Sequence, residues 1–377
     1  MSWFPHAPTA PGWRLDWPAI VAALSRATVM AGWEQAPVHR AEDAVPTVTR
    51  MVCETLVANP SWRALPVDER DAVFAAALLH TVARLLPPVA APDGRAPAPR
   101  RPSQSAIMAR GLLWRMGISA ALRERICGMI HWQQAPCDWL SQGDPLHTLI
   151  RVSQTTRCDH VALLCAADVE GRGSGDRGHR LERIAQFQER AAEEACLTQP
   201  WPFTSAHARV LWFRDPARDP RHAACKDTHG EVVMMSGLPG AGKDTWIAAH
   251  RPDHPVISLD AIRAELSIHP SENQHRVIQL ARARAREHLQ TGAPLVWNAT
   301  TLTRRIREPL LELLADYSVT IRAVCLEAPP DVLFAQNAAR AASVPRTVIE
   351  RMAAHWQPPD TSEVHALQRV GGRKRSP

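Results

Sequence analysis

The sequence contains few lysines, no regular cysteine pairs and no long apolar run. Three of its 44 basic residues are lysines, and its eight cysteines include no CxxC pair. This pattern argues against a disulfide frame and a cysteine-based zinc site, so we expect reduced thiols in a cytoplasmic protein. No apolar run approaches the ~20 residues of a membrane span. The N-terminus also lacks the basic and apolar segments of a signal peptide, so we expect none.

Length and composition favour two globular domains. The 377 residues exceed the size of one typical domain, and 45% of them are hydrophobic, so each half can bury a core. The net charge is +6 and the pI is about 9.1. Because the basic residues are spread along the chain, this charge favours an anionic partner only weakly.

Helical periodicity dominates residues 1–213. Apolar residues recur at helical spacing and no paired strand patterns occur, so we predict an all-α domain. A loop rich in proline and alanine, Pro87–Pro102, separates two of its helices. The predicted helices cover residues 16–30, 45–58, 69–86, 105–116, 120–132, 145–164 and 180–195.

The pattern changes after residues 214–230, a polar segment with two Asp-Pro steps that we interpret as an interdomain linker. Strand and helix patterns alternate over residues 231–362, which predicts an α/β domain with a mainly parallel sheet. Residues 363–377 are expected to form a basic, solvated tail. The predicted strands are 232–235, 256–259, 295–297 and 319–326, and the predicted helices are 245–250, 260–266, 272–290, 303–316, 330–342 and 347–354.

Residues 231–250, EVVMMSGLPGAGKDTWIAAH, place a glycine-rich turn between a strand pattern and a helix pattern. GxxxxGK in this context is the P-loop pattern, in which backbone N–H groups wrap a phosphate beside a helix N-terminus. Lys243 would reach the β- and γ-phosphates of ATP or another nucleoside triphosphate. The predicted nucleotide-binding residues are Gly237, Leu238, Pro239, Gly240, Ala241, Gly242, Lys243, Asp244 and Thr245.

Asp244 occupies the P-loop position that normally carries the Mg²⁺-binding serine or threonine. A carboxylate is a good Mg²⁺ ligand, although it adds negative charge beside the phosphates. Three readings stay open: Asp244 binds Mg²⁺ directly, Thr245 binds it after a small shift, or phosphoryl transfer has been lost while nucleotide binding remains.

Asp260 and Arg263 follow the second predicted strand and lie one helical turn apart. That strand ends at the ligand-binding edge of an open α/β sheet. Asp260 could therefore accept the proton of an attacking hydroxyl, and Arg263 could hold a substrate anion. The alternative is that Asp260 is a helix N-cap and Arg263 is solvated. Asn298 and Thr300 reach the same edge, either to orient the reacting groups or to complete a turn.

Arg340 follows the fourth predicted strand and the next helix. An arginine on a lid at this place would neutralise charge that develops on the transferred phosphate. Arg346 is the second choice for this role. The alternative is that Arg340 is a solvated charge on a helix face.

Residues 231–360 resemble the 5′-polynucleotide kinase branch of P-loop phosphotransferases. The resemblance rests on GLPGAGKDT, SLDAIR, WNAT and the stretch from Asn337 to Arg340 before Val-Pro. It implies that Asp260 is the general base and that Arg263 contacts the phosphate 3′ to the attacking 5′-hydroxyl. Related kinases of small molecules and tRNA use similar motifs.

The whole chain also resembles a bacterial fusion of an HD-type phosphohydrolase domain with such a kinase. The matching stretches include AALLHTVARL, ARGLLWRMG and RCDHVALLCAADVEGR. The HD signature is broken, because Thr81 follows His80 where the family has aspartate, and Val48 and Gln104 stand where histidines are expected. His39 is near but out of register. The positions that remain are His80, His131, Asp159 and Asp168.

Loss of a metal-binding carboxylate would remove the activated water that phosphoester hydrolysis needs. We therefore expect a vestigial hydrolase domain joined to an ATP- and Mg²⁺-dependent kinase of 5′-OH ends of RNA or DNA, with Lys243, Asp260, Arg263 and Arg340 as its catalytic residues. Three alternatives remain: a small-molecule kinase, a non-catalytic nucleotide-binding switch, and an HD domain that is still active.

Overall fold

The computed structural model describes most of the chain and divides it into two compact units. The boundary lies between Pro202 and Phe203. The predicted domain boundary at residue 213 falls inside the second unit, because the helix Ala206–Arg214 packs there. The described residues are 4, 6–29, 44–85, 102–141, 143–173, 175–215, 217–224, 228–340 and 342–371.

The described part of the first unit is all-α, as predicted. The predicted helix 145–164 is two helices, because Thr156 and Arg157 have extended backbones. Most of the predicted loop 87–102 lies outside the described residues, as does His39. The helices are α1 (Trp17–Val29), α2 (Ala44–Ala58), α3 (Pro60–Arg63), α4 (Val67–Leu79), α5 (Pro102–Arg115), α6 (Ala120–Trp132), α7 (Ala135–Asp138), α8 (Pro145–Thr155), α9 (Cys158–Arg172) and α10 (Arg177–Glu193), with 3₁₀ turns at Val82–Leu85 and Trp139–Ser141.

Helix α4 lies at the centre of this unit. It contacts α2, α6 and α9, and every residue from Arg70 to Leu79 is buried. A helix that is surrounded on all sides needs apolar residues around its whole circumference, which explains the continuous run AVFAAALL in place of an amphipathic pattern.

The second unit is built on a five-stranded parallel sheet. The strands lie in the order β2-β3-β1-β4-β5, and every neighbouring pair is parallel, which confirms the predicted parallel sheet. Its elements are α11 (Ala206–Arg214), β1 (Glu231–Ser236), α12 (Lys243–His250), β2 (Val256–Ser258), α13 (Leu259–Leu266), α14 (His275–Gln290), β3 (Leu295–Asn298), α15 (Arg304–Ala315), β4 (Thr320–Glu327), α16 (Pro330–Ala338), α17 (Arg346–Ala354) and β5 (Ala366–Gly371).

Strand β5 lies in the segment that we expected to be a tail. Its residues pair with β4 from Arg322 to Glu327. Just before it, Glu363 forms a buried ion pair with Arg307 at 2.8 Å. The expectation failed because β5 has no apolar run of its own, so only its pairing with β4 makes it a strand. The remaining residues of the predicted tail, 372–377, lie outside the described part.

Among the described residues, none of the helices combines the length and apolar character that crossing a bilayer requires.

Candidate active site at the carboxyl edge of the sheet

The carboxyl ends of β1, β2, β3 and β4 meet at one edge of the sheet, because all four strands are parallel. Each is followed by a segment that carries predicted site residues. In open α/β sheets this edge is where ligands bind. The topology therefore brings the turn after β1, the Asp260 segment, the Asn298 segment and the Arg340 segment to one place.

The turn after β1 has the backbone of a phosphate-binding loop. Gly240 and Gly242 have positive φ angles of 81° and 90°, which side-chain-bearing residues rarely adopt. Gly237 lies so close to β4 that a Cβ there would be 2.5 Å from the carbonyl oxygen of Leu326. Helix α12 begins directly after Gly242, at Lys243. The unpaired backbone N–H groups and the positive dipole end of α12 therefore lie beside the phosphate-binding loop.

Substitution of Gly240 tests whether the phosphate-binding loop can accommodate a side chain at this position. We expect Gly240→Ala to weaken ATP binding by about tenfold or more, a loss of about 1.4 kcal/mol. A Cβ at this position would lie 3.0 Å from both Leu333 O and Asn337 Cβ, and it would have to sit at positive φ. Gly292→Ala is the matched control, since φ there is also positive, at 68°, but no atom lies within 4 Å of the added Cβ. Equal ATP dissociation constants in calorimetry would contradict this prediction.

Lys243 lies across the loop. Its Nζ donates hydrogen bonds to Gly237 O at 2.9 Å and to Leu238 O at 3.1 Å. The pKa of Lys243 is lowered to about 8, chiefly by burial; Asp244 and Asp260 oppose this shift and Arg340 adds to it. All three neighbours are residues that the sequence assigns to the site. Their charges act on Lys243, so the structure brings these three predicted residues within electrostatic reach of the lysine.

The lowered pKa of Lys243 predicts a pH dependence for nucleotide binding. Phosphates favour the ammonium form. Affinity for ATP should therefore be level below pH 8 and fall above it, by up to about tenfold per pH unit, as the empty site loses the proton. In Lys243→Arg the guanidinium stays charged, so the fall should disappear. Calorimetric titration of ATP from pH 7 to 10 measures both curves, and a level wild-type curve would be inconsistent with this account.

Asp244 lies in the first turn of α12, where its Oδ1 accepts a hydrogen bond from Asn298 Nδ2 at 2.7 Å. The buried amide of Asn298 thus orients the carboxylate of Asp244, a partner that the sequence had not indicated for it. Asp244 and Thr245 are both exposed to solvent. Carboxylate and hydroxyl oxygens are ligands that Mg²⁺ prefers, so this donor set fits the ion.

Asp260 is the second residue of α13 and points into solvent, with its side chain 80% exposed. It forms an ion pair with Arg263, whose Nε also donates to Gln274 Oε1 at 2.6 Å. The N-cap of α13 is Ser258, whose hydroxyl accepts from Ala261 N. Asp260 is therefore not the N-cap of this helix, and its exposed carboxylate is available to a substrate.

Arg340 lies just beyond α16 and is partly buried. The second choice, Arg346, is engaged elsewhere: it stacks on the Phe334 ring at 4.3 Å and pairs with Glu350 at 3.0 Å. Of the two arginines, Arg340 is the one whose charge acts on Lys243.

Asn337 is a site residue for which the sequence gave no role. It is buried, its Nδ2 donates to Val344 O at 2.8 Å, and its Oδ1 accepts from Val344 N at 3.1 Å. The side chain thereby closes the segment that carries Arg340. Its Cβ also lies against Gly240, so the same residue supports the phosphate loop. In the sequence, the feature that could have indicated this role is the amide of Asn337 on the otherwise apolar face of α16.

Comparison with known proteins agrees with this geometry. Residues 232–359 match the family model of an AAA domain. This part of the chain is a P-loop kinase-like domain. The matched range holds all the predicted catalytic residues and ends before β5. A search of curated proteins found no match.

Solved structures include a similar chain described as a candidate kinase, from Chloroflexus aurantiacus j-10-fl. It is 18% identical, the match covers 38% of the present chain and 86% of the other, and the TM-score is 0.33.

The predicted HD positions of the first unit lie outside the matched range. His80 is buried, and its Nε2 lies 3.2 Å from Asp168 Oδ1, which also accepts from Arg172 at 2.7 Å. Thr81 bonds to Thr49 through their hydroxyls at 2.8 Å.

The other two HD positions have different neighbours. Asp159 pairs with Arg157 at 2.6 Å, and the His131 ring packs edge-on against Trp132. In the part of the chain that the structure describes, no three His, Cys, Asp or Glu side chains are grouped so that they could hold a metal ion.

Proposed function

We propose that this protein is an ATP-dependent kinase that phosphorylates 5′-OH ends of RNA or DNA. The observation that carries the proposal is the Asp260–Arg263 ion pair at the carboxyl edge of the sheet, whose Asp260 carboxylate acts electrostatically on Lys243. A carboxylate beside a phosphate-binding loop supplies a base, and an adjacent arginine supplies a contact for an anionic substrate.

Each side chain has a defined part in the transfer. Loop amides and Lys243 hold the β- and γ-phosphates. Asp260 accepts the proton of the 5′-hydroxyl as its oxygen attacks the γ-phosphorus in line, and the bond to the β-phosphate oxygen breaks to release ADP. Arg263 holds the substrate phosphate next to that hydroxyl, and Arg340 neutralises charge on the transferred group.

Asp244 and Thr245 would hold Mg²⁺, which supplies charge neutralisation at the β- and γ-phosphates when it is bound. The hydrogen bond from Asn298 uses one carboxylate oxygen of Asp244 and fixes the direction of the other. In this proposal an aspartate takes the place of the usual serine or threonine.

The test is transfer of labelled γ-phosphate from ATP with added Mg²⁺. The acceptors are a 5′-OH oligonucleotide, the same oligonucleotide with a 5′-phosphate, and a panel of nucleosides and sugars. Labelling of the 5′-OH oligonucleotide alone supports the proposal. Labelling of a nucleoside or sugar alone would identify a small-molecule kinase. Binding of ATP without transfer or hydrolysis would identify a nucleotide-binding switch.

For the first unit we propose a vestigial HD-type phosphohydrolase that no longer binds its metal. His80 and Asp168, two positions left from the HD pattern, are bonded to each other, and Arg172 places a positive charge on the same carboxylate. A cation beside that arginine would be repelled.

We expect purified protein to contain no stoichiometric transition metal and to leave a 2′,3′-cyclic phosphate end intact. Elemental analysis and chromatography of the oligonucleotide product measure the two outcomes. Stoichiometric metal together with turnover would show instead a working hydrolase with unusual ligands. Addition of Mn²⁺ or Ni²⁺ to the assay controls for metal lost in purification.

A further inference from the structure

The second unit has a half-open cavity of about 320 Å³ at the edge of the sheet opposite the phosphate loop. It is lined by residues that precede β4 and β5, together with α11 and the loop after it. Because β1 spans six residues at about 3.3 Å each, roughly 20 Å of sheet separates this cavity from the loop. Its volume is at the lower end of the range for small-ligand pockets.

The polar lining of this cavity is cationic or neutral. None of the residues that line it is an aspartate or glutamate. Arginine and histidine side chains converging without an acid are typical of sites for phosphate or carboxylate groups. The polar lining residues are His207, Arg214, Arg218, His222, Ser318 and His365.

Two of the histidines form an ordered pair. Ile321 N donates to His365 Nδ1 at 3.0 Å, so neutral His365 carries its proton on Nε2. That N–H donates to His207 Nδ1 at 3.1 Å, and the rings are stacked at 5.4 Å. Neutral His207 must then carry its own proton on Nε2. The backbone of β4 thereby sets both tautomers.

The two arginines differ in how firmly they are held. Arg214 Nη2 donates to Leu311 O at 3.2 Å, which anchors the guanidinium on α15. Arg218 pairs with Asp215 at 3.4 Å on the surface, and such exposed pairs are weak. Arg218 can therefore turn towards a ligand at little cost, while Arg214 is already in place.

Positive groups act on His365 in the cavity. The pKa of His365 is lowered to about 4, chiefly by burial, with His207, Arg214 and Arg209 adding to the shift. The acidic groups in the surroundings act on the arginines: Asp316 on Arg214 and Asp360 on Arg209. An anion in the cavity would offset the field that His365 experiences.

We propose that this cavity is a binding site for a small phosphate-bearing anion, separate from the nucleotide site. Arg214 and Arg218 would hold the phosphate oxygens, with the Ser318 hydroxyl as a further donor. The proposal does not depend on kinase activity, because no residue of the cavity belongs to the phosphate loop.

The test uses the full chain with Lys243→Ala, which weakens phosphate binding at the nucleotide loop, and inorganic phosphate as the probe. Imidazole resonances of His365 and His207 are followed by NMR from pH 3.5 to 8 at constant ionic strength set with KCl. We expect saturable binding that raises the pKa of His365 by about one unit, since a nearby opposite charge favours the imidazolium. Arg214→Gln with Arg218→Gln should weaken phosphate binding by at least about tenfold, the loss expected for charge-assisted hydrogen bonds.

The control is Arg221→Gln, which removes one positive charge from the loop that carries Arg218, at a residue outside the cavity lining. If the Arg214 variant fails to fold, Arg218→Gln with His222→Gln replaces it, since both residues are exposed. A pKa of His365 that does not change with phosphate, or equal phosphate affinities in the cavity and control variants, would overturn the proposal.

Discussion

Replacing Lys243 with alanine is expected to lower kcat/KM for phosphoryl transfer by about 10²–10³-fold or more, the loss seen when one transition-state donor is removed. The ammonium normally lies against the Gly237 and Leu238 carbonyls. Without it, two carbonyl oxygens would remain beside the phosphates with no cation between them. Binding of ATP and stabilisation of the transition state should therefore both weaken.

The fold should withstand this change, because Lys243 is only partly buried and lies outside the apolar core of the unit. Circular dichroism and thermal unfolding should match the wild type. Arg305→Ala, which removes an exposed positive charge from α15, serves as the charge control and should transfer normally. Full transfer activity in Lys243→Ala would contradict the assignment of this loop as the phosphate site.

Asp260→Asn should separate binding from chemistry. The substitution keeps the shape of the side chain but removes the base, and general bases contribute about 10²–10⁴-fold to rate. We expect kcat to fall within this range while the dissociation constant of ATP stays within about twofold, since Asp260 is exposed at the start of α13 and not in the loop. The measurements are single-turnover transfer to a 5′-OH oligonucleotide and calorimetric binding of ATP.

Glu265→Gln is the matched control for this variant. It also removes one carboxylate charge from α13, but Glu265 pairs with Arg284, away from the phosphate loop. It should leave kcat unchanged. If Asp260→Asn and Glu265→Gln transfer phosphate equally well, Asp260 is not the base. If both are inactive, charge on α13 matters more than the identity of the carboxylate.

Replacement of Arg263, the ion-pair partner of Asp260, tests whether this arginine acts in substrate binding or in catalysis. Arg263 is bonded to both Asp260 and Gln274, so its loss should disturb the carboxylate as well as the substrate contact. An effect on KM for the oligonucleotide that exceeds the effect on kcat would assign it to substrate binding.

The local sequence alone determined the phosphate loop and the strand β1 that precedes it. A GxxxxGK turn requires residues without a Cβ, since Gly240 and Gly242 adopt positive φ and Gly237 approaches Leu326 closely. These requirements concern adjacent residues in the sequence, so they can be predicted from the sequence. The apolar run that forms β1 is local in the same way. The positions of Asp260 and Arg263 were predictable for the same reason, because they follow a strand that ends at the ligand edge.

Contacts between distant segments decided the rest. The strand β5, with its exposed residues, exists because β4 offers it a free edge, and Glu363 meets its buried partner Arg307 across 56 residues of chain. The closure of the Arg340 segment by Asn337 depends on Gly240, nearly a hundred residues earlier. The lowered pKa of Lys243 arises chiefly from its burial in the folded unit. Local pattern specifies backbone conformation, whereas burial and long-range pairing depend on which segments meet, and only the folded chain establishes that.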